Sequence, residues 1–294
     1  MKITTAVIPV AGKGTRFLPA TKSVPKEMIP ILHKPMIQYV VEEAVDSGIE
    51  RIVFVTSTGK EAIKNYFSPS SELEDFLEKN NKTKELELCK KIGNMVEVEY
   101  AVQDEQLGLG HAIACAEDLV KDQNFSVLLG DDLIIGGTPV TKQLIDVSTR
   151  HGGAPAIGVM EVPRADCNKY GIIDGEALKD EPTTLKILDM VEKPDPKNAP
   201  SNLATPGRYL LTPEIFDCLR NIKKGSGGEY QLTDAISMLA KSRPFYAHIF
   251  ENDRYDTGNV QGWLRATIEF ALKDPNLHES TLKIIKAVNQ QYKD

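Results

Sequence analysis

Cysteine is scarce in this chain: four in 294 residues, at positions 89, 115, 167 and 218, with no Cys-x-x-Cys pair. That scatter excludes a disulfide framework, argues against zinc and fits reduced thiols in a cytoplasmic protein. No apolar run is long enough to span a bilayer, and Met1-Lys2-Ile3-Thr4-Thr5 opens directly into strand-like sequence, so neither a membrane span nor a leader is expected. Positive charge is not in excess either. Lys and Arg number 35 against 42 Asp and Glu, a formal net charge of −7, which provides no basic face for nucleic acid. No internal repeat is visible, and no Ser/His/Asp or Cys/His motif announces a covalent nucleophile. What is present is an apolar content of 41% and a charged content of 26%, those of an ordinary globular chain.

Strand-like runs alternate with helical stretches, which predicts parallel βαβ units with right-handed crossovers. Strands are expected at about 4–10, 51–56, 96–102 and 125–129. A helix is expected at about 35–47, with Ile37, Val40, Val41, Ala44 and Val45 as its buried stripe. Residues 68–94, rich in Ser, Glu, Lys and Asn, read as a surface helical insertion. The second half is less regular. Strands are expected at about 154–162, 170–175, 185–191 and 245–250, the last closing the set, and helices at about 213–221 and 231–240. Gly225-Ser226-Gly227-Gly228 reads as a flexible hinge, 194–206 as a loop, and 260–292 as a helical tail. No clean boundary divides the chain, so one domain over 1–294 is expected. Residues 160–230 form its elaboration, and the tail is a candidate contact between copies.

The densest information lies in residues 7–35. An apolar strand runs into Ala11-Gly12-Lys13-Gly14-Thr15-Arg16, followed by Val24-Pro25-Lys26-Glu27-Met28-Ile29-Pro30. Gly12 and Gly14 let the backbone approach a ligand and tolerate positive φ, and such a loop can turn its N–H groups toward phosphate oxygens. Arg16 adds a planar fork of donors and Lys26 a point charge. A triphosphate is the ligand this chemistry suits. Two familiar phosphate loops fail on spacing: Phe17 occupies the place of the third Rossmann glycine, and Gly12-Lys13-Gly14-Thr15 is not the end of a P-loop.

Gly-x-Gly-Thr-Arg joined to Pro-Lys-Glu-Met and Pro30 resembles the sugar-nucleotide pyrophosphorylases, or sugar-phosphate nucleotidylyltransferases. The Glu-Met pair resembles the uridylyltransferase branch, since thymidylyltransferases typically read Lys-Gln-Leu-Leu-Pro there. The resemblance implies an α/β fold of the GT-A-like kind, a Rossmann-like, doubly wound, mixed and mainly parallel sheet flanked by helices. It also implies a Mg²⁺-dependent reaction of UTP with glucose 1-phosphate giving UDP-glucose and pyrophosphate, in a homo-oligomer. Ala11, Gly12, Gly14, Thr15 and Glu27 would then contact the nucleotide, with Arg16 and Lys26 holding the triphosphate. A thymidylyltransferase and a non-catalytic sensor of nucleotide sugars are the alternatives.

In an open parallel sheet, ligands lie beyond the carboxyl ends of the strands, and three further motifs fall there. Gln103-Asp104-Glu105-Gln106-Leu107-Gly108-Leu109-Gly110-His111-Ala112 reads equally as a polar strand–helix loop or as a base site. By resemblance, Gln103 and Gly108 bind the base, while His111 sits at the helix start. Gly130-Asp131-Asp132 offers carboxylates of the kind Mg²⁺ takes. Successive strand residues face opposite ways, so Asp131 is the expected ligand and Asp132 an outer-shell or structural residue. Asp256, in Tyr255-Asp256-Thr257-Gly258, is its partner by resemblance and an N-cap-region aspartate otherwise. In Val191-Glu192-Lys193-Pro194 the proline is expected to hold Lys193 extended and end the strand. The resemblance assigns Glu192 and Gly171 to the sugar and Lys193 to its phosphate. The segment Gly228-Glu229-Tyr230-Gln231-Leu232-Thr233-Asp234 would shape the sugar pocket by resemblance, and is a capped helix N-terminus otherwise.

Overall fold

A computed structural model describes residues 2–292. Strand β1 (Thr5–Pro9) sends Ala6 and Ile8 to one side and Val7 to the other, all fully buried. A hairpin of β2 (Pro30–Ile31) and β3 (Lys34–Pro35) leads into α1 (Met36–Asp46). The expected stripe of α1 is buried except for Val45, which is half-buried, and Glu43 is buried beside it. Next come β4 (Arg51–Thr56), α2 (Glu61–Tyr66), the surface pair α3 (Ser71–Lys79) and α4 (Thr83–Gly93), and β5 (Glu97–Val102). They are followed by α5 (Leu109–Ala114), α6 (Glu117–Val120), β6 (Phe125–Leu128), β7 (Asp132–Ile135) and α7 (Val140–Arg150). The second half holds β8 (Ala156–Glu161), β9 (Gly171–Leu178), β10 (Glu181–Glu192), β11 (Leu203–Thr205), β12 (Arg208–Leu211), α8 (Glu214–Asn221) and α9 (Leu232–Ser242). The chain finishes with β13 (Tyr246–Ile249), β14 (Asp253–Asp256), α10 (Val260–Lys273) and α11 (His278–Gln291).

Ten of these strands form one sheet in the order β11-β9-β10-β13-β8-β12-β6-β1-β4-β5. Strands β5, β4, β1, β6, β8, β13 and β9 point one way, and β12, β10 and β11 run against them. Helices cover both faces. Val7, Val53 and Val55 meet Ile113 of α5, Phe216 of α8 and Ile236 of α9; Ala6, Ile8, Ile52 and Phe54 meet Val40 of α1 and Leu144 of α7. This is the expected doubly wound α/β architecture.

One extra pairing shapes the site. β11 also pairs with β8, through Leu203↔Glu161 and Ala204↔Met160, so β8, β13, β10, β9 and β11 close into a ring. Two register shifts in β10 bend the β9–β10 hairpin. Its far end, where Gly171 faces Glu192, therefore lies against the end of β6.

Four expectations need correction. The 194–206 loop ends in strand β11, held by β8 and β9, and β12 follows at once. β13 is not the last strand: β14 pairs antiparallel with β7 in a separate ribbon, Asp256 opposite Asp132. The tail is two helices joined at 274–277. Lys193 is not extended. Its φ is 45°, in the left-handed region, and its N–H donates to the Tyr170 carbonyl at 2.9 Å. Pro194 does end the strand, but the contact with Tyr170 overrides the local preference of the residue before a proline. Among the described residues, no helix is long and apolar enough to cross a membrane.

Candidate active site

The loop after β1 is held from behind. The Ala11 carbonyl accepts from Ser57 Oγ at 3.1 Å and from Gln106 Nε2 at 2.8 Å, tying it to the loops after β4 and β5. Gly14 has φ 63°, and a Cβ there would stand 2.9 Å from Lys26 Cβ, so both backbone and space demand glycine. A single turn, Thr15–Phe17, buries Phe17 and leaves Thr15 and Arg16 exposed. Lys26 starts a second such turn and reaches across to β6, its Nζ 2.6 Å from Asp131 Oδ2. Burial works against both charges, but each partner outweighs it. Asp131 and Glu27 hold the Lys26 ammonium above its ordinary range, and Lys26 holds the Asp131 carboxyl below its own.

Glu27 lies beneath this loop with 1% of its surface exposed, paired to Lys60 at 2.7 Å. Burial pushes the Glu27 carboxyl up and the Lys60 ammonium down. Lys60, at the start of α2, lines a cavity of about 620 Å³ together with Lys13, Pro25, Ser57 and Gln103.

The carboxylates converge on Gly258. A Cβ at that position would stand 2.8 Å from Asp131 Oδ2 and 3.2 Å from Asp256 Oδ1. Thr257 donates to the Asp131 carbonyl from its N–H at 2.9 Å and its Oγ1 at 2.7 Å, and Gly258 N donates to Asp256 Oδ1 at 3.0 Å. Asp132 opens β7 and lines the same region as Asp131 and Asp256. It is ion-paired with Arg254, whose Nη1 donates to the Tyr170 hydroxyl at 2.8 Å. Burial pushes Asp132 up to about 7, against the pull of Arg254. Two hard oxygen ligands on one glycine suit Mg²⁺, which binds through one or two carboxylates and fills its shell with phosphate oxygens and water. Among the described residues, no cluster of three or more His, Cys, Asp or Glu side chains is placed to enclose a metal by itself.

A second cavity, of about 330 Å³, starts at Asp131 and Asp256 and takes in Arg16, Tyr170, Gly171, Glu192 and Lys193. Lys193 Nζ lies 3.4 Å from Glu192 Oε1, and its side chain is more than half exposed. Gly171 is required by packing, since a Cβ would stand 2.6 Å from Met190 Cε and 2.7 Å from Thr233 Cγ2. The structure thus gathers Arg16, Lys26, Asp131, Asp256, Gly171, Glu192 and Lys193 around one region. Glu27 is nearby but buried.

The loop after β5 forms the far wall of the larger cavity. Gly108 has φ 97°, and a Cβ there would stand 2.7 Å from Glu229 Cβ and 2.9 Å from the Tyr230 carbonyl. Tyr230 N donates to the Leu107 carbonyl at 2.7 Å, and Gly110 N to the Tyr230 carbonyl at 2.9 Å. The segment from Glu229 therefore buttresses this loop as well as lining the smaller cavity.

A family model for nucleotidyl transferases matches residues 5–272. The chain belongs to that family. A UTP–glucose-1-phosphate uridylyltransferase of Staphylococcus haemolyticus is 49% identical over 285 residues, 97% of this chain and 98% of its own length. A solved UDP-glucose pyrophosphorylase complexed with UDP-glucose is 40% identical, with a TM-score of 0.85 over 93% of this chain and 100% of that one. A UTP-bound UGPase from Acinetobacter baumannii is 39% identical, with a TM-score of 0.88 over 97% of this chain and 99% of its own.

Within this nucleotidyl transferase, sequence reasoning passed over Lys60, Arg208 and Arg254, and gave His111 only a place at the helix start. All four are polar side chains whose role appears only in their three-dimensional partners. It also passed over Gly262. A Cβ there would fall inside the carbonyl oxygen of Asp256. Asn259 Oδ1 caps α10 by accepting from Gly262 N at 2.9 Å. Gly262→Ala must displace either Asp256 or the start of α10. It is expected to lower the melting temperature by about 6 °C or more, the overpacking cost for a chain of this size. An unchanged thermal melt would contradict this packing.

Proposed function

We propose that this chain transfers the uridylyl group of UTP to α-D-glucose 1-phosphate, releasing pyrophosphate and forming UDP-glucose. The observation that carries the reading is the Lys26–Asp131 contact between two cavities. Behind it lies a glycine loop suited to a triphosphate, and before it lies a pocket edged by Glu192 and Lys193. The nucleophile is an oxygen of the sugar phosphate, already ionised at neutral pH, so the site needs no general base. Its task is to bring two anions together and align them. Each close unit-charge pair costs about 4 kcal/mol at 4 Å with an effective dielectric near 20.

Arg16 and Lys26 hold the triphosphate, and the backbone of Ala11–Thr15 receives the leaving pyrophosphate. Lys193 aligns the incoming phosphate, while Glu192 and the Gly171 backbone hold the hexose. Gln103 and Gly108 hold the uracil. Asp131 and Asp256 would hold Mg²⁺, which supplies charge neutralisation at the α-phosphate when bound. Glu27 acts at one remove, by fixing Lys60 and the turn that begins with Lys26. Assembly of copies belongs to the same reading: α10 exposes Val260, Leu264 and Ile268 at four-residue spacing.

Lys193→Ala tests the assignment of the phosphate-aligning group. It is expected to lower kcat about a hundredfold, as loss of one positioned charge in a transition state does, with the KM for UTP nearly unchanged. A raised KM for UTP with kcat retained would place Lys193 on the nucleotide instead.

A further inference from the structure

We propose that His111, together with the Gly108 carbonyl, sets the polarity with which Gln103 meets a nucleobase, leaving the glutamine an acceptor only. The inference deepens the reading of the chain as a UTP-dependent enzyme and rests on it. Gln103 Nε2 lies 3.2 Å from the Gly108 carbonyl oxygen and 3.1 Å from His111 Nδ1. A carbonyl oxygen only accepts, so the atom facing Gly108 must be the amide nitrogen. That nitrogen carries two hydrogens and accepts nothing, so His111 Nδ1 must accept the second. The imidazole proton then sits on Nε2, where the Cys115 sulfur, a weak acceptor, lies 3.9 Å away.

Both N–H bonds of Gln103 are thereby spent inside the protein. The residue is 4% exposed and its backbone N–H is fixed on the Thr56 carbonyl at 2.8 Å, so the side chain has little room to turn. The one uncommitted polar atom it brings to the larger cavity is the amide oxygen. An acceptor there pairs with a base edge that presents N–H, as uracil does at N3, and meets lone pair to lone pair the N3 of cytosine. A glutamine free to rotate by half a turn would serve both bases equally. His111 is thus a positioning residue for base selection that touches neither substrate. Its place on the first turn of α5, four residues before Cys115, is what brings Nδ1 to Gln103.

The test compares UTP with CTP as nucleotide substrates in pyrophosphate release with glucose 1-phosphate. In His111→Leu the ratio of kcat/KM for UTP to that for CTP is expected to fall about tenfold or more, because the Gly108 carbonyl is then the one remaining acceptor that orients the amide, and turning costs one hydrogen bond instead of two. The change is expected in KM for UTP, with kcat little altered. His111→Asn places an acceptor near the position of Nδ1 and is expected to restore most of the ratio, whereas His111→Gln is not. An unchanged ratio in His111→Leu, or failure of His111→Asn to differ from it, would overturn the proposal. Nitrogen-15 spectra of histidine-labelled wild-type protein test the same point without a substitution. The neutral tautomer with its proton on Nε2 is expected for His111, and a proton on Nδ1 at neutral pH would equally overturn it. Absence of pyrophosphate release from wild type with UTP would count instead against the proposed function, leaving the tautomer result to decide the polarity of Gln103.

Discussion

Replacing Asp131 with asparagine is expected to lower kcat about a thousandfold, equivalent to about 4 kcal/mol of transition-state stabilisation, while the protein stays folded. The substitution keeps the shape of the side chain and removes its charge. The Asp131 carbonyl remains held by Thr257 N and Oγ1, at 2.9 and 2.7 Å, so the loop after β6 keeps its course. Two things are lost together. The carboxylate pair converging on Gly258 is reduced to Asp256 alone. The Lys26 ammonium, 2.6 Å from Asp131 Oδ2, loses the partner that holds it between the two cavities. Steady-state kinetics at saturating Mg²⁺ and substrates, beside a thermal melt, check this. A rate within tenfold of wild type would remove Asp131 from the reaction.

The second large effect lies beneath the site. Arg208 is fully buried, with Nη2 2.8 Å from Glu43 Oε2 and Nε 3.0 Å from the same atom. Glu43 in turn accepts from Thr141 N and Oγ1 at the start of α7, at 3.2 and 2.8 Å. Arg208 Nη2 also donates to the Asp132 carbonyl at 2.7 Å, so the pair joins α1, α7 and β12 to the strand that follows Asp131. Arg208→Met leaves a carboxylate buried without its counter-ion. The expected cost is about 3–5 kcal/mol, a fall in melting temperature of about 10 °C. Glu43→Leu combined with Arg208→Met is expected to recover most of that loss, because an apolar pair of similar volume carries no unpaired charge. A double variant that melts below the Arg208→Met single would show that the pair contributes through its hydrogen bonds to Thr141 and Asp132.

The parts of the fold that were legible in sequence are those with a local signal. Strand β4 coincides with its expected limits, and α1 begins directly after Pro35, because alternation, helical periodicity and caps act within a few residues. The parts that were not legible depend on distant partners. Strands β7 and β14 are four residues each, β14 is largely polar, and they pair across more than a hundred residues, Asp256 opposite Asp132 and Arg254 ion-paired with Asp132. β11 hides in a Pro- and Asn-rich stretch and exists because β8 and β9 supply its hydrogen bonds. Lys193 shows the same conflict at one residue: Pro194 favours an extended backbone, and the hydrogen bond to Tyr170 holds a left-handed one.

The site follows this division. Arg16, Lys26 and the glycine loop announce an anion site from spacing and residue type alone. Glu192, Lys193 and Gly171 are ordinary strand-edge residues, and only the ring closed by β11 and β8 carries them to the end of β6. Arg208 carries no local signal in the sequence and is a core residue in the structure. His111 reads as the beginning of a helix, and only its 3.1 Å contact with Gln103 gives it a chemical task.

The measurement that bears most directly on the proposed reaction is pyrophosphate release from purified protein with glucose 1-phosphate, comparing UTP with dTTP, with Mg²⁺ and with EDTA. Release with UTP is expected well above that with dTTP, and is expected to be lost in EDTA. Equal or faster use of dTTP would contradict the uridylyl assignment, and no release with either nucleotide from protein that still binds UTP would contradict catalysis itself.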